Sequence, residues 1–134
     1  MTTYEALNVM VIDNDDLQLE LVSAQLENLG IVKIEMVDGG RQALAKFDTS
    51  QTKPDLLICD IQMPDIDGFE FMQAINERDF KGGLILMSGQ GAHVLHTASL
   101  VAQLSRLNFL GTVAKPVTRV ALEMAIGKMT VRND

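Results

Sequence analysis

The sequence predicts an α/β fold, a parallel five-stranded sheet covered by helices on both faces. Three observations predict it. Short runs of Val, Ile and Leu alternate with segments of helical periodicity from end to end. Most of these runs are continuously apolar, as strands buried on both faces are. Each run is followed by one helical segment, the pattern of repeated strand–helix units.

"LNVMVI" (7–12), rich in β-branched residues, forms the first strand. From about Asp16, Leu19, Val22, Leu26 and Leu29 recur at three- and four-residue spacing, with Gly30 just past their end, so a helix capped by Asp16 follows. "IVKIEMV" (31–37) alternates like a strand. "GGRQALAKFD" (39–48) reads as a helix with Leu44 and Phe47 inward, and "DLLICD" (55–60) as a continuous apolar strand. Phe71, Met72 and Ile75 mark a helix from about Gly68 to Arg78, and "GLILMS" (83–88) is the fourth strand. A longer helical segment runs from Ala92 to Arg106. "NFLGTVA" (108–114) gives the fifth strand, and Val117, Val120, Ala121 and Met124 set the last helix after Pro116. Right-handed crossovers leave few arrangements for five such units. The expectation is a flavodoxin-like (βα)5 three-layer sandwich with strand order 2-1-3-4-5, a single domain over residues 1–134.

Composition narrows the function. Apolar residues make up 47% and charged residues 22% of 134, the balance of a globular domain. A net charge of −7 argues against direct nucleic-acid binding, which needs clustered Lys and Arg. No apolar run approaches the ~18 residues needed to span a bilayer, and no signal peptide opens the chain, so no membrane association is expected. The single cysteine, Cys59, excludes an intramolecular disulfide, fits a cytoplasmic location, and reads as a small core residue.

Ligands of open parallel sheets sit at the carboxyl ends of the strands, near the switch in strand order. Strand one ends in Asp13, Asn14 and Asp15, strand three in Asp60, strand four in Ser88, and strand five in Lys115. A carboxylate ending a buried strand is costly unless something compensates its charge. Carboxylates, a hydroxyl and an ammonium suit a hard divalent cation and a phosphoryl group: Mg²⁺ takes one or two carboxylates with a phosphate, and lysine serves as a point charge for a phosphate oxygen. Taken singly, each residue has a plainer reading. Asp16 caps a helix, and Asp65 or Asp67 starts the next. The argument rests on four strands ending in suitable residues together.

These residues carry a resemblance. "VMVIDNDD", "PDLLICDIQMPDIDGFEFM", "LILMSGQ" and "VAKPV", in that order and covering nearly the whole chain, resemble the receiver domain of bacterial two-component response regulators. The resemblance implies that Asp60 is a phosphoacceptor, taking a phosphoryl group from a phosphohistidine on a sensor histidine kinase or a phosphotransfer protein. It implies Mg²⁺ held by Asp13, position 14, Asp60 and the backbone carbonyl of Gln62. Lys115 then neutralises a phosphoryl oxygen, and Ser88 swings to hydrogen-bond the phosphoryl group. Gln62 and Gln90 flank the path of the hydrolytic water. Such a domain is not an enzyme in its own right; phosphotransfer and dephosphorylation are self-catalysed, and any enzymatic output lies in an attached domain.

Two departures from the family pattern matter. Asn14 stands where the family usually has a second acid, so weaker Mg²⁺ binding is expected unless the register shifts to recruit Asp15. Thr112, three residues before Lys115, replaces the frequent Tyr or Phe, so the switch falls to Ser88 and the segment 89–107. That segment spreads Val94, Leu95, Ala98, Leu100, Val101, Leu104 and Leu107 over more than one helix face, which points to a docking or dimerisation face, with plain burial as the alternative. Two copies meeting there would form a homodimer through the fourth helix, fifth strand and fifth helix. "FLGTVAKPV" and the extended fourth helix resemble receivers fused to EAL-type cyclic-di-GMP phosphodiesterase output domains; a stand-alone regulator and a receiver with a DNA-binding output are the alternatives. His93 and His96, three apart, have no evident third ligand and read as ordinary histidines. Two rival readings stand beside this one: a degenerate receiver working by protein interaction without phosphorylation, and a small Mg²⁺-dependent phosphohydrolase with Asp60 as nucleophile.

Overall fold

Branched side chains fit a pleated surface, and five runs dense in them pair here into one sheet. The computed structural model describes residues 4–89 and 91–132. After a 3-10 turn at Tyr4–Ala6 come β1 (Asn8–Ile12), α1 (Asp16–Asn28), β2 (Lys33–Val37), α2 (Gly40–Thr49) and β3 (Leu56–Asp60). Then follow α3 (Gly68–Glu77), β4 (Gly83–Ser88), α4 (Ala92–Gln103), β5 (Asn108–Ala114) and α5 (Arg119–Arg132). All pairings are parallel, in the order β2-β1-β3-β4-β5 that the sequence predicts.

Successive residues of a strand point to opposite faces. Met10, Ile12, Leu57, Cys59, Leu84 and Leu86 bury on the side of α2, α3 and α4, against Ala43, Phe47, Phe71, Ile75 and Ala98. Val9, Val11, Leu56, Ile58, Ile85 and Met87 bury on the other, against Leu19, Val22 and Leu26 of α1 and Leu122 and Ile126 of α5. Each Leu, Ile or Val buried in this way contributes roughly 1.5–3 kcal/mol against the entropy of ordering the chain. With both strand faces apolar, the central strands read as unbroken runs.

Three local features differ from the sequence-based expectation or refine it. The cap of α1 is Asp15, whose side chain accepts from Leu17 N at 2.9 Å, while Asp16 is the first helical residue. Helix α4 stops at Gln103, short of Arg106. The Ser105 hydroxyl donates to Ala102 O at 2.6 Å and accepts from Leu107 N at 3.2 Å, bonds that compete with another helical turn. In β5, Leu84 pairs with Phe109 and Ile85 with Gly111, so Leu110 is a supernumerary residue, a β-bulge. Leu110 and Val113 consequently both face the α1–α5 core, while Phe109 packs on the other side. Among the described residues no helix is long and apolar enough to cross a membrane.

Candidate functional site

Ladder hydrogen bonds continue past the strand ends and fix the backbones that carry the polar residues. Asp13 N donates to Val37 O at 3.1 Å, Ile61 N to Met87 O at 2.9 Å, and Lys115 N to Ser88 O at 2.9 Å. The Lys115–Pro116 peptide is cis. Beyond it, Gln25 of α1 donates from Nε2 to the Val117 carbonyl at 2.6 Å, which holds the approach to α5 against α1. Thr118 then opens α5, its hydroxyl accepting from Ala121 N at 3.1 Å.

This scaffold brings three predicted residues into contact. Lys115 Nζ lies 2.5 Å from Asp13 Oδ2 and 3.3 Å from Asp60 Oδ2. Asp13 and Ser88 are 0% exposed and Asp60 is 4% exposed. Burial pushes the Asp60 carboxyl above its ordinary pKa and the Asp13 charge adds to this; Lys115 and the Gln62 amide, 3.3 Å from Asp60 Oδ1, only partly offset them. Burial alone lowers the Lys115 pKa, but the two carboxylates outweigh it and hold the ammonium above its usual value. The cluster therefore gathers two acids around one fixed cation.

The donor chemistry fits a hard divalent ion. Asp13 Oδ1 accepts from Asp15 N at 3.0 Å, while the buried Oδ2 meets the Lys115 ammonium as an ion pair. A second carboxylate converges on the same ammonium, giving the small oxygen set that Mg²⁺ uses. Exposed Asn14 lines an adjoining cleft of about 550 Å³ with Ile61, Gln62, Met63, Pro64 and Asp67. Among the described residues no three His, Cys, Asp or Glu side chains gather as a metal site, in keeping with an amide at position 14. Asp15, the alternative ligand, gives its Oδ1 to the cap of α1.

The remaining acids in "MPDIDG" separate. Asp67 caps α3, its side chain accepting from Glu70 N at 2.9 Å. Asp65 starts no helix of its own; its carboxylate accepts from Arg41 N at 2.9 Å, at the beginning of α2. Between them the loop doubles back, Gly68 N donating to Ile61 O at 2.6 Å. A Cβ at Gly68 would stand 2.7 Å from Ile61 Cα and 2.8 Å from Ile61 O, so this turn takes no side chain there.

Thr112 lies apart from the cluster. It pairs in register with Leu86 and lines a separate groove of about 710 Å³ between α4 and α5, with Ser99, Gln103, Met124 and Lys128. His93 and His96 are both exposed on α4. Gln90 and the side chain of Leu95 lie outside the described residues.

A doubly wound α/β domain with an acid pair and a lysine at the carboxyl edge of its sheet is the class that this fold and site define. Residues 9–127 match the model of the response regulator receiver domain, and the chain belongs to that family. It is 30% identical over 128 residues to a probable chemotaxis protein CheY of Rhizobium etli, covering 94% of each chain. It is 29% identical over 126 residues to hybrid signal transduction histidine kinase L of Dictyostelium discoideum, covering 90% of this chain but 7% of that much longer protein. Among solved structures, a response regulator from Colwellia psychrerythraea superposes with a TM-score of 0.76 at 31% identity, covering 95% of this chain and 99% of that one.

Proposed function

We propose that Asp60 accepts a phosphoryl group from a phosphohistidine of a sensor histidine kinase or a phosphotransfer protein, in the cytoplasm and with Mg²⁺ bound. The observation that carries the reading is the Lys115 ammonium held between two buried carboxylates, 2.5 Å from one and 3.3 Å from the other. A carboxylate oxygen of Asp60 attacks phosphorus in line; the O–P bond forms, and the P–N electron pair leaves with the imidazole. Lys115 stands ready to pair with a phosphoryl oxygen, and Ser88 ends the adjacent strand. A Mg²⁺ ion held by Asp13, Asn14, Asp60 and the Gln62 carbonyl supplies charge neutralisation at the phosphoryl oxygens.

Phosphorylation then biases Ser88 and the segment 89–107 between two states, without an aromatic at Thr112. The readout is a homodimer through α4, β5 and α5, a reading supported by exposed Leu100, Val101 and Leu104 on one side and Val120 and Met124 on the other. An attached output domain, of the EAL type that "FLGTVAKPV" resembles, converts the switch into a signal. Incubation with acetyl phosphate or phosphoramidate plus Mg²⁺, followed by intact mass, tests the proposal. A single stable adduct that Asp60→Asn lacks supports it; rapid turnover of varied phosphomonoesters favours a phosphohydrolase and sinks it. Asn14 favours a second reading, a receiver that binds partners without taking a phosphoryl group. Absence of any adduct across Mg²⁺ and Mn²⁺ concentrations would select that reading.

A further inference from the structure

Helix α2 begins without a side chain of its own to satisfy its first amides. Its N-cap is Gly39, extended at φ −174° and ψ 163°. The leading N–H groups of a helix need acceptors from somewhere. Here they come from Asp65, five residues beyond Asp60. Asp65 Oδ2 accepts from Arg41 N at 2.9 Å and Oδ1 from Gly40 N at a longer 3.4 Å. In return, Arg41 Nε donates to the Asp65 backbone carbonyl at 3.0 Å. The junction is close enough to exclude other residues: a Cβ at Gly39 would stand 2.7 Å from Asp65 Oδ2, and one at Gly40 would overlap Ile66 Cγ2. Burial raises the Asp65 pKa, but the amides of Arg41 and Gly40, with those of Asp65 itself and Ile66, together outweigh it and keep the carboxyl below its ordinary value, ionised at neutral pH.

The loop so tied is the one that leaves the acceptor site. At its start Gln62 N donates to Asp60 Oδ1 at 3.3 Å, and at its end Gly68 N closes on Ile61 O. We propose that Asp65 is a positioning residue: by capping α2 from a distance, it fixes the 61–67 loop and so the Gln62 backbone beside Asp60. The inference rests on Asp60 being the phosphoacceptor. It differs from a purely structural cap in a way the glycine makes testable. Gly39 has extended backbone that any residue adopts, and the three atoms nearest a Cβ built there all belong to the Asp65 carboxyl, which Asp65→Ala removes. Gly39→Asn would then give α2 a local cap with no hold on the loop.

The experiment compares the full chain with Asp65→Asn, Asp65→Ala and the double variant Asp65→Ala/Gly39→Asn. Amide hydrogen exchange is followed over residues 40–43 and 61–67, and the initial rate of adduct formation is measured with phosphoramidate and Mg²⁺. Asp65→Ala is expected to speed exchange in both segments and slow phosphorylation roughly ten- to a hundredfold, the scale of a small misplacement at a reacting centre. Asp65→Asn, which keeps one acceptor, should fall between and serves where the alanine variant is too unstable. The double variant should recover protection at 40–43 and thermal stability, yet keep fast exchange at 61–67 and slow phosphorylation. Recovery of loop protection and rate together with stability overturns the proposal, as does unchanged loop exchange in Asp65→Ala. Should the unmodified chain take no phosphoryl group, the acceptor reading fails and the exchange pattern at 61–67 still decides whether Asp65 fixes the loop.

Discussion

Replacing Asp60 by Asn separates its chemistry from its charge. Burial and the neighbouring Asp13 raise the Asp60 pKa in the folded state. For an acid shifted this way, the stability contribution is fully present below the unfolded pKa of about 3.9 and is lost as pH rises through the folded value. At neutral pH the ionised group thus opposes folding. Asp60→Asn is expected to melt higher than the parent chain, by on the order of 1 kcal/mol, the size of coupling between contacting charges, while forming no acyl phosphate. Thermal unfolding and intact mass on the same samples check both halves, and a lower midpoint contradicts the electrostatic account. Position 14 gives a second outcome. An acid there adds a unit charge beside Asp13 at the cleft that Asn14 lines; Asn14→Asp should tighten Mg²⁺ roughly tenfold, a modest fraction of a close charge–charge term, as read by the rise of the melting temperature with Mg²⁺ concentration.

At the level of helices, strands and their junctions, Asp65 titrates in the opposite sense to Asp60. The amides of Arg41, Gly40, Asp65 itself and Ile66 together outweigh burial and depress its folded pKa, so its contribution is present above the unfolded pKa and lost as pH falls through the folded one. Asp65→Asn should therefore flatten the loss of stability below about pH 4, measured by urea unfolding across an acid series. Gly68→Ala should cost about 1–3 kcal/mol as overpacking against backbone that cannot yield, since the added carbon meets Ile61 Cα at 2.7 Å. These junctions were also the least legible part of the sequence. Strands β4 and β5 could be read to the residue because apolar runs end there in a hydroxyl or a lysine. The cap of α1 could not, because "DNDD" offers several side chains and spacing does not say which reaches Leu17 N. The early end of α4 was masked by Leu104 and Leu107, which carry the apolar spacing past the Ser105 turn. Asp65 looked like a helix start because the amides it satisfies lie 24 and 25 residues upstream. The meeting of the acid pair and the lysine, by contrast, follows from where the apolar runs end and the order in which the strands pair.

Over the whole molecule, two independent cores clamp one sheet, and the groove between α4 and α5 lies well outside the ionic cluster. Leu104 is 89% exposed at the end of α4, so Leu104→Glu should leave the unfolding free energy within about 0.5 kcal/mol of the parent, as surface changes usually do. On the proposed reading it abolishes the phosphorylation-dependent dimer, which sedimentation velocity with and without phosphoramidate would detect; a monomer in every state of the unmodified chain refutes that dimer. The bulge at Leu110 reaches further than its own position. Side chains alternate along a strand, so a surplus residue would reverse the parity of everything after it unless a bulge absorbs it. Excising Leu110 would leave Gly111 opposite Ile85 and Val113 opposite Met87. Forcing the same seven residues into a strand without the bulge would instead turn Thr112 and Val113 inside out and carry Lys115 one place past its carboxylates. In this domain the bulge takes one residue out of the count and so meters a positive charge into the cleft.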